Sequence, residues 1–167
     1  NDTARENMLR ADVAHGVARQ RLIFAPRVAP AEYLARFQLA DLMLDTFPFN
    51  AGTTASDALW MGTPMVTRAG RTYISRMAGS LLTAIGLPEL ISGNLGDYEA
   101  KAHQLATHPA ELAEIRARLA VNRKNMPLFD TRRFCRHLEA AFQQMWAIHQ
   151  RGESPATIHV SPLEASV

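Results

Sequence analysis

The stretch from Leu42 to Thr67, LMLDTFPFNAGTTASDALWMGTPMVT, limits the possible folds of this chain most strongly. It predicts a short apolar strand at Leu42–Leu44, a loop, a helix that begins at Gly52, and a second apolar strand at Met65–Thr67. Short apolar strands on either side of a helix are typical of a parallel sheet that is covered on both faces. The sequence therefore favours an α/β fold.

A glycine and two hydroxyl residues stand where this helix begins, at Gly52, Thr53 and Thr54. The first N–H groups of a helix have no intrahelical partner and the helix dipole is positive there, so this N-terminus can bind a phosphate. Asp57 lies one turn further along the same face and can accept from a hydroxyl group beyond the phosphate. A nucleoside diphosphate offers both groups, which predicts phosphate binding by the first three residues and ribose binding by Asp57.

A purely structural interpretation of the same residues is a capping box, in which a hydroxyl and an acid satisfy the helix start. Two features favour a ligand site instead. The helix follows a buried-type strand, so its N-terminus lies at the carboxyl edge of the sheet, where α/β proteins bind ligands. The loop Phe47–Gly52 is also longer and more apolar than a cap requires. Asp45 ends the first strand at this edge, and we favour a structural role for it over a ligand contact.

The preceding helix carries a second candidate set. Tyr33 and Arg36 are three residues apart and share a helix face, and their helix follows a predicted strand at Arg21–Ala25. In a parallel sheet this helix starts beside the Gly52 loop. Tyr33 can stack on a base and Arg36 can donate to its carbonyl groups, but surface packing explains both residues equally well.

The rest of the chain predicts further helices and a tail. The last helix has an apolar side that we expect to pack in the core, formed by Phe134, Leu138, Phe142, Met145 and Trp146. Residues 151–167 show no period and contain two prolines, which predicts a flexible tail. The other predicted elements are a helix to about His15, helices at Ala31–Asp41 and Ser75–Ile85, a short edge strand at Leu90–Ile91, helices from Asn94 or Gly96 to about Ala106 and from Pro109 to about Arg123, and the last helix at Thr131–His149 with Asp130 as its cap.

Composition excludes several classes of protein. The 167 residues are 47% hydrophobic and 20% charged, as in an ordinary globular protein, and the net charge of +2 does not argue for a nucleic-acid partner. The single Cys135 rules out an internal disulfide framework, and no histidine spacing indicates a metal site. No run approaches the ~20 apolar residues that span a bilayer, so we expect no membrane partner. The chain begins with Asn1 rather than Met, and we expect it to be a fragment.

A longer pattern resembles the catalytic C-terminal region of the O-GlcNAc transferase/SPINDLY family, in a bacterial member. The resemblance covers roughly residues 21 to 150. It rests on Arg21–Phe24, Gln38–Asp41, Leu44–Thr46, Asn50–Thr54, Asp57, Leu59-Trp60, Gly62–Val66, Ser75-Arg76, Leu90-Ile91, Pro127–Phe129 and Met145-Trp146.

This resemblance implies a GT-B glycosyltransferase with two Rossmann-like lobes. Residues 1–150 would form the C-terminal, donor-binding lobe: a Rossmann-like parallel sheet with helices on both faces, ending in a long helix. The implied donor is UDP-GlcNAc, or GDP-fucose in the SPINDLY branch, and the acceptor is a Ser or Thr hydroxyl of a protein. We expect inverting transfer without metal or cofactor, a cytoplasmic location, and partners in an N-terminal lobe and tetratricopeptide repeats.

The resemblance also assigns residues. The phosphate motif of the family falls on Gly52, Thr53 and Thr54, and its ribose-binding aspartate falls on Asp57. The catalytic residues would lie upstream of Asn1, so we expect the isolated chain to be inactive. The base-binding positions fall on Val28 through its backbone, Tyr33 and Arg36.

Three positions depart from the family pattern. Gly52 replaces the histidine of the phosphate motif, Tyr33 replaces a base-stacking histidine, and Pro30 replaces a ribose-side lysine of the animal enzymes. These departures leave a non-catalytic nucleotide-sugar-binding protein as an alternative. A helical protein-interaction module, formed by Leu95–Gln150, and a GDP-fucose-using O-fucosyltransferase are further alternatives.

Overall fold

A parallel three-stranded sheet forms the centre of this chain in a computed structural model, which describes residues 1–162. The strands are β1 (Met43–Leu44), β2 (Met65–Arg68) and β3 (Ile91–Ser92), and they lie in the order β1-β2-β3. Both pairs are parallel, with Met43 opposite Met65 and Thr67 opposite Ile91. Parallel neighbours need a crossover, and a helix follows each of the first two strands before the next one begins.

The α-helices follow the predicted order. They are α1 (Asp2–Ala14), α2 (Pro30–Arg36), α3 (Thr53–Met61), α4 (Met77–Ala84), α5 (Leu95–Thr107), α6 (Pro109–Asn125) and α7 (Thr131–Gln150). Short 3-10 turns lie at Arg19–Arg21, Phe37–Leu39, Ile74–Arg76, Pro88–Leu90 and Pro127–Phe129.

The core lies around β2, against which α3, α4 and α5 all pack. Met65, Val66 and Thr67 are fully buried in succession, so both faces of this strand are covered. That burial explains the continuous apolar run in the sequence, because a strand covered on both faces has no side for polar residues. The predicted α/β fold with a parallel sheet and a long last helix is confirmed. The core is completed by Leu59, Leu82, Ile85, Leu87, Leu90, Leu105 and Leu119.

The chain divides into two compact units, Asn1–Tyr33 and a second unit that begins at Leu34. In the first unit, Asn1 caps α1 by accepting from the Ala4 N–H at 2.8 Å. The predicted strand at Arg21–Ala25 is wrong: a 3-10 turn ends at Arg21, and residues 22–29 have no regular secondary structure. An apolar run becomes a strand only when a neighbouring strand satisfies its N–H and C=O groups, and no strand among residues 1–162 forms a ladder with Arg21–Ala25.

Two helices are shorter than the sequence predicts. α2 ends at Arg36 rather than near Asp41, because tertiary hydrogen bonds take the carbonyl groups beyond it. Thr63 Oγ1 donates to the Phe37 carbonyl at 2.7 Å, and the Arg116 guanidinium donates to the Ala40 carbonyl. Similarly, the segment at Ser75 begins as a 3-10 turn, since the Ser75 hydroxyl donates to the Thr72 carbonyl at 3.0 Å.

The last helix, α7, has the predicted length, and Asp130 caps it by accepting from the Arg133 N–H at 2.8 Å. Its apolar side, however, is exposed: Phe134 is 64% accessible and Trp146 is 58% accessible. The expectation that this side packs in the core is therefore wrong. Periodicity shows only that a helix has an apolar side, and no described element covers this one.

The residues after α7 and its closing turn have no regular secondary structure up to residue 162. The predicted tail spans 151–167, and its last five residues lie outside those that the structure describes. The single lobe over residues 1–150 and the flexibility of the tail stay predictions. Among the described residues, no helix is both long and apolar enough to cross a membrane.

Candidate nucleotide-phosphate site

No side chain of the described residues caps the N-terminus of α3. Gly52 is the N-cap residue, and its carbonyl accepts the first helical hydrogen bond from the Ser56 N–H at 3.0 Å. The N–H groups of Thr53, Thr54 and Ala55 find no acceptor within residues 1–162. The two threonines are exposed, so their hydroxyls and backbone N–H groups present donors to solvent at the positive end of the helix.

Asp57 lies one turn further along α3 and is half-buried. Its carboxylate has no hydrogen-bond or ion-pair partner in the part of the chain that the structure describes. A capping box pairs the N-cap residue with the residue three positions later, which here are Gly52 and Ala55. The structural alternative for these residues is therefore wrong, and the predicted phosphate and ribose residues lie together on one helix start.

Asp45 holds the loop that leads into this helix. This residue is only 6% exposed. One oxygen, Oδ1, accepts from the Thr46 N–H at 2.9 Å and from the Ala51 N–H at 2.8 Å. The other, Oδ2, accepts from the Thr67 hydroxyl at 2.6 Å. The structural interpretation of Asp45 agrees with this geometry, because each donor belongs to the loop or to β2.

Further contacts close the same loop from inside. The side chain of Asn50 is fully buried, and its Nδ2 donates to the Thr46 carbonyl at 2.8 Å. The Thr46 hydroxyl donates to the Phe49 carbonyl at 2.6 Å. On the outer side, the Arg68 guanidinium lies 3.9 Å from the centre of the Phe47 ring. The loop thus has a defined path from β1 to α3.

Tyr98 on α5 contributes a contact that the sequence does not reveal. Its hydroxyl donates to the Asp45 carbonyl at 2.9 Å. Burial, and then the negative charge of Asp45, raises the pKa of the Tyr98 hydroxyl, which therefore stays protonated and able to donate at neutral pH. The two residues are 53 positions apart, and no motif or spacing connects them.

An open cavity of about 820 Å³ lies beside α4, which contributes most of its lining. Met77 lines this cavity, together with Arg76, Ser80 and Thr83. The Cγ atom of Met77 is 3.6 Å from the point where a Cβ atom on Gly52 would stand. That distance is an ordinary van der Waals contact, so position 52 has room for a Cβ atom beside Met77.

The three predicted base-binding residues are divided between the two units. Val28 lies in the irregular segment before α2, and Tyr33 lies in α2, both within the first unit. Arg36 is the last residue of α2 and belongs to the second unit. Tyr33 and Arg36 thus share a helix, as predicted, and the roles of all three residues in base binding stay predictions.

Comparisons with known proteins identify the family and the fold of this chain. The chain is 37% identical over 147 residues to a UDP-N-acetylglucosamine–peptide N-acetylglucosaminyltransferase of Caenorhabditis elegans. The aligned region covers 88% of this chain and 13% of that protein. It is 38% identical over 143 residues to the probable UDP-N-acetylglucosamine–peptide N-acetylglucosaminyltransferase SEC of Arabidopsis thaliana. This aligned region covers 85% of this chain and 15% of that protein. The chain thus spans about a seventh of the length of these relatives.

A solved structure shows the same fold. A mutant of the Thermobaculum terrenum O-GlcNAc transferase matches with a TM-score of 0.80 and 33% identity, over 87% of this chain and 28% of that one. The family model described as glycosyl transferase family 41 matches residues 2–138. The resemblance to the O-GlcNAc transferase/SPINDLY family is confirmed, and the chain belongs to glycosyl transferase family 41.

Proposed function

We propose that this chain is the donor-binding part of a protein O-GlcNAc transferase, which transfers GlcNAc from UDP-GlcNAc to serine and threonine hydroxyls of proteins. One observation carries the proposal: within residues 1–162, the donors of Thr53 and Thr54 at the start of α3 and the Asp57 carboxylate one turn away have no partner. A diphosphate followed by a ribose matches this order of donors and acceptor. The names of the relatives support the same activity.

The open helix start would act on the leaving group. As the bond between the sugar and the diphosphate breaks, negative charge grows on the phosphate oxygens. The N–H groups and hydroxyls of Thr53 and Thr54 stabilise this charge, and they need no reorganisation when it develops. The acceptor hydroxyl attacks from the opposite side of the sugar, which inverts the anomeric centre. We assign to this chain only the stabilisation of the leaving group, so we expect the isolated chain to bind the donor without turnover.

The donor groups at this site suit an anion directly. They are N–H and O–H groups, whereas Mg²⁺ prefers carboxylate and carbonyl oxygens. No three His, Cys, Asp or Glu side chains among residues 1–162 are grouped to hold a metal ion. We therefore propose metal-independent transfer, with the helix N-terminus taking the place of a divalent cation at the diphosphate.

Base recognition is the remaining part of the donor site. In this proposal Tyr33 stacks on the uracil ring, Arg36 donates to a uracil carbonyl, and the backbone of Val28 contacts the base edge. A planar guanidinium and an aromatic ring suit either uracil or guanine. GDP-fucose therefore remains the alternative donor for the same residues.

A second candidate function is nucleotide-sugar binding without transfer. It is favoured by one observation, the missing side chain at Gly52, which removes one donor from the phosphate site. In this case the full-length protein binds UDP but transfers no sugar to any acceptor.

Titration calorimetry of the full-length protein with UDP, GDP and NAD tests the proposal, first without metal and then with Mg²⁺. We expect UDP binding that is unchanged by Mg²⁺, followed by transfer of labelled GlcNAc to protein. A preference for GDP would indicate fucosyl transfer. UDP binding without transfer would favour the second candidate, and absence of binding with all three nucleotides would contradict both.

A further inference from the structure

The loop between β1 and α3 ends only one residue before the proposed diphosphate site. The Ala51 N–H is the last group of this loop with a fixed partner, the Asp45 carboxylate at 2.8 Å. Gly52 follows, and Thr53 begins the helix. Any displacement of Ala51 therefore moves the first N–H groups of α3, on which diphosphate binding depends.

Asp45 is the point at which three elements meet. Its Oδ1 joins the two ends of the loop, since it accepts from both Thr46 and Ala51. Its Oδ2 accepts from Thr67, a fully buried residue of β2, and its carbonyl accepts from Tyr98 of α5. The sheet and α5 thus fix the carboxylate, and the carboxylate fixes the loop end.

The carboxylate itself cannot reach a ligand while it makes these contacts. Asp45 as a whole is 6% exposed, and each oxygen of its carboxylate already accepts from a protein donor. Its effect on the nucleotide must therefore pass through the position of Ala51. Asp45 differs in this respect from Asp57, whose carboxylate has no partner among the described residues and can contact a ligand directly.

We propose that Asp45 is a positioning residue for the donor diphosphate, held by Thr67 and Tyr98, and that it acts by fixing the Ala51 end of the loop. This inference rests on the proposed function, because it presumes that a diphosphate binds at Thr53 and Thr54. It extends that function to a buried group that touches no substrate.

The test measures UDP affinity and the midpoint of thermal unfolding in the full-length protein. Asp45→Ala removes both links to the loop, and we expect UDP binding to weaken about tenfold or more, as for the loss of charge-assisted hydrogen bonds. Asp45→Asn keeps an oxygen for the two N–H groups and places an NH₂ group beside the Thr67 hydroxyl oxygen. We expect this variant to recover UDP affinity to within about threefold of the wild type.

A matched pair of variants separates positioning from stability. Thr67→Val removes the hydroxyl that holds Asp45, whereas Asn122→Ala removes a side-chain donor of α6 that bonds the Ile85 carbonyl at 2.8 Å, just after α4. Both should lower the unfolding midpoint, but only Thr67→Val should weaken UDP binding, by about threefold. If Asp45→Ala does not fold, this pair decides the matter.

The outcomes distinguish the two proposals. A wild-type protein that binds UDP while Asp45→Ala binds equally well overturns the positioning role and leaves the proposed function in place. Equal weakening by Asp45→Asn and Asp45→Ala also overturns it, because the negative charge rather than the loop contacts would then matter. A wild-type protein that binds no UDP overturns the proposed function and this inference together.

Discussion

The two ends of α3 differ in how their backbone groups are satisfied. At the C-terminal end, Gly62 adopts a left-handed conformation with φ of +87°, and its N–H bonds the carbonyl groups of Ala58 and Leu59. Arg123 donates to the Trp60 carbonyl, which adds a tertiary partner. At the N-terminal end, the N–H groups of Thr53 and Thr54 have no partner in the described chain. The chain closes one end with its own groups and leaves the other end available for a ligand.

Removing the donors at the open end should give the largest effect. We expect the double variant Thr53→Ala/Thr54→Ala to weaken UDP binding on the order of 100-fold, since two charge-assisted hydrogen bonds to phosphate are lost. Titration calorimetry of the full-length protein measures this change. Asn122→Ala, which removes a contact between α6 and the Ile85 carbonyl, is the control and should bind UDP like the wild type. Equal UDP affinity in the double variant and the control would return α3 to a purely structural role.

The carboxylate one turn further along should matter next. We expect Asp57→Ala to weaken UDP binding about tenfold, because a charged acceptor for a ribose hydroxyl is lost. The same titration with 2′-deoxy-UDP and 3′-deoxy-UDP identifies the hydroxyl. One of these analogues should bind the wild type less tightly than UDP does, and this difference should vanish in Asp57→Ala. A difference that persists for both analogues in the variant would refute the ribose assignment.

The closed end can be opened without touching the site. Gly62→Ala places a Cβ atom on a residue with φ of +87°, which costs about 1 kcal/mol in the left-handed region. We expect denaturant unfolding to show this loss while the UDP dissociation constant stays that of the wild type. A parallel loss of UDP affinity would mean that the two ends of α3 are coupled and do not act independently.

The open end can also be strengthened. Gly52 has φ of −101°, which residues other than glycine also adopt. A Cβ atom there would lie 3.6 Å from the Met77 Cγ atom, an ordinary contact, so the backbone accepts a residue with a side chain. We expect Gly52→His, which restores the residue type of the resembling family, to tighten UDP binding about threefold through one added donor. Gly52→Ala is the control for the backbone change and should leave the affinity unaltered. Weaker binding by the histidine variant would show that an imidazole does not fit beside the phosphate site.

The smallest expected effect concerns Tyr98 and pH. The raised pKa of its hydroxyl means that the folded protein holds this proton more tightly than the unfolded chain does. The stabilisation is complete below the unfolded pKa of about 10 and is lost as pH rises through the higher folded pKa. We expect wild type to be more stable than Tyr98→Phe at neutral pH, with the difference shrinking only in the alkaline range. A difference that shrinks between pH 6 and 8 would contradict this origin.

The sequence predicted those parts of the molecule that depend on neighbouring residues in the chain. The strands on either side of α3, the glycine at its start and the cap of α7 at Asp130 all follow from local pattern. The prediction was wrong where the outcome depends on a distant partner. Residues 21–25 are apolar enough for a strand but have no ladder partner among the described residues, and the apolar side of α7 is periodic but uncovered by any described element.

The candidate site shows the same division. Thr53, Thr54 and Asp57 share one turn of helix, so their spacing alone places them together. The contact between Tyr98 and the Asp45 carbonyl joins residues 53 positions apart, and only the folded chain brings them together. The support of the loop could therefore not be read from any motif, although Asp45 itself was recognised as structural.

The uncovered side of α7 has a consequence for handling the chain in solution. A helix of 20 residues is about 30 Å long, and this one exposes Phe134, Phe142 and Trp146 along its length. Kosmotropic salts strengthen the burial of such surface. When this chain is produced by itself, we expect it to precipitate at low ammonium sulfate and to bind strongly to hydrophobic chromatography media. Chaotropic or low-salt buffers should keep it dispersed at the concentrations that calorimetry requires.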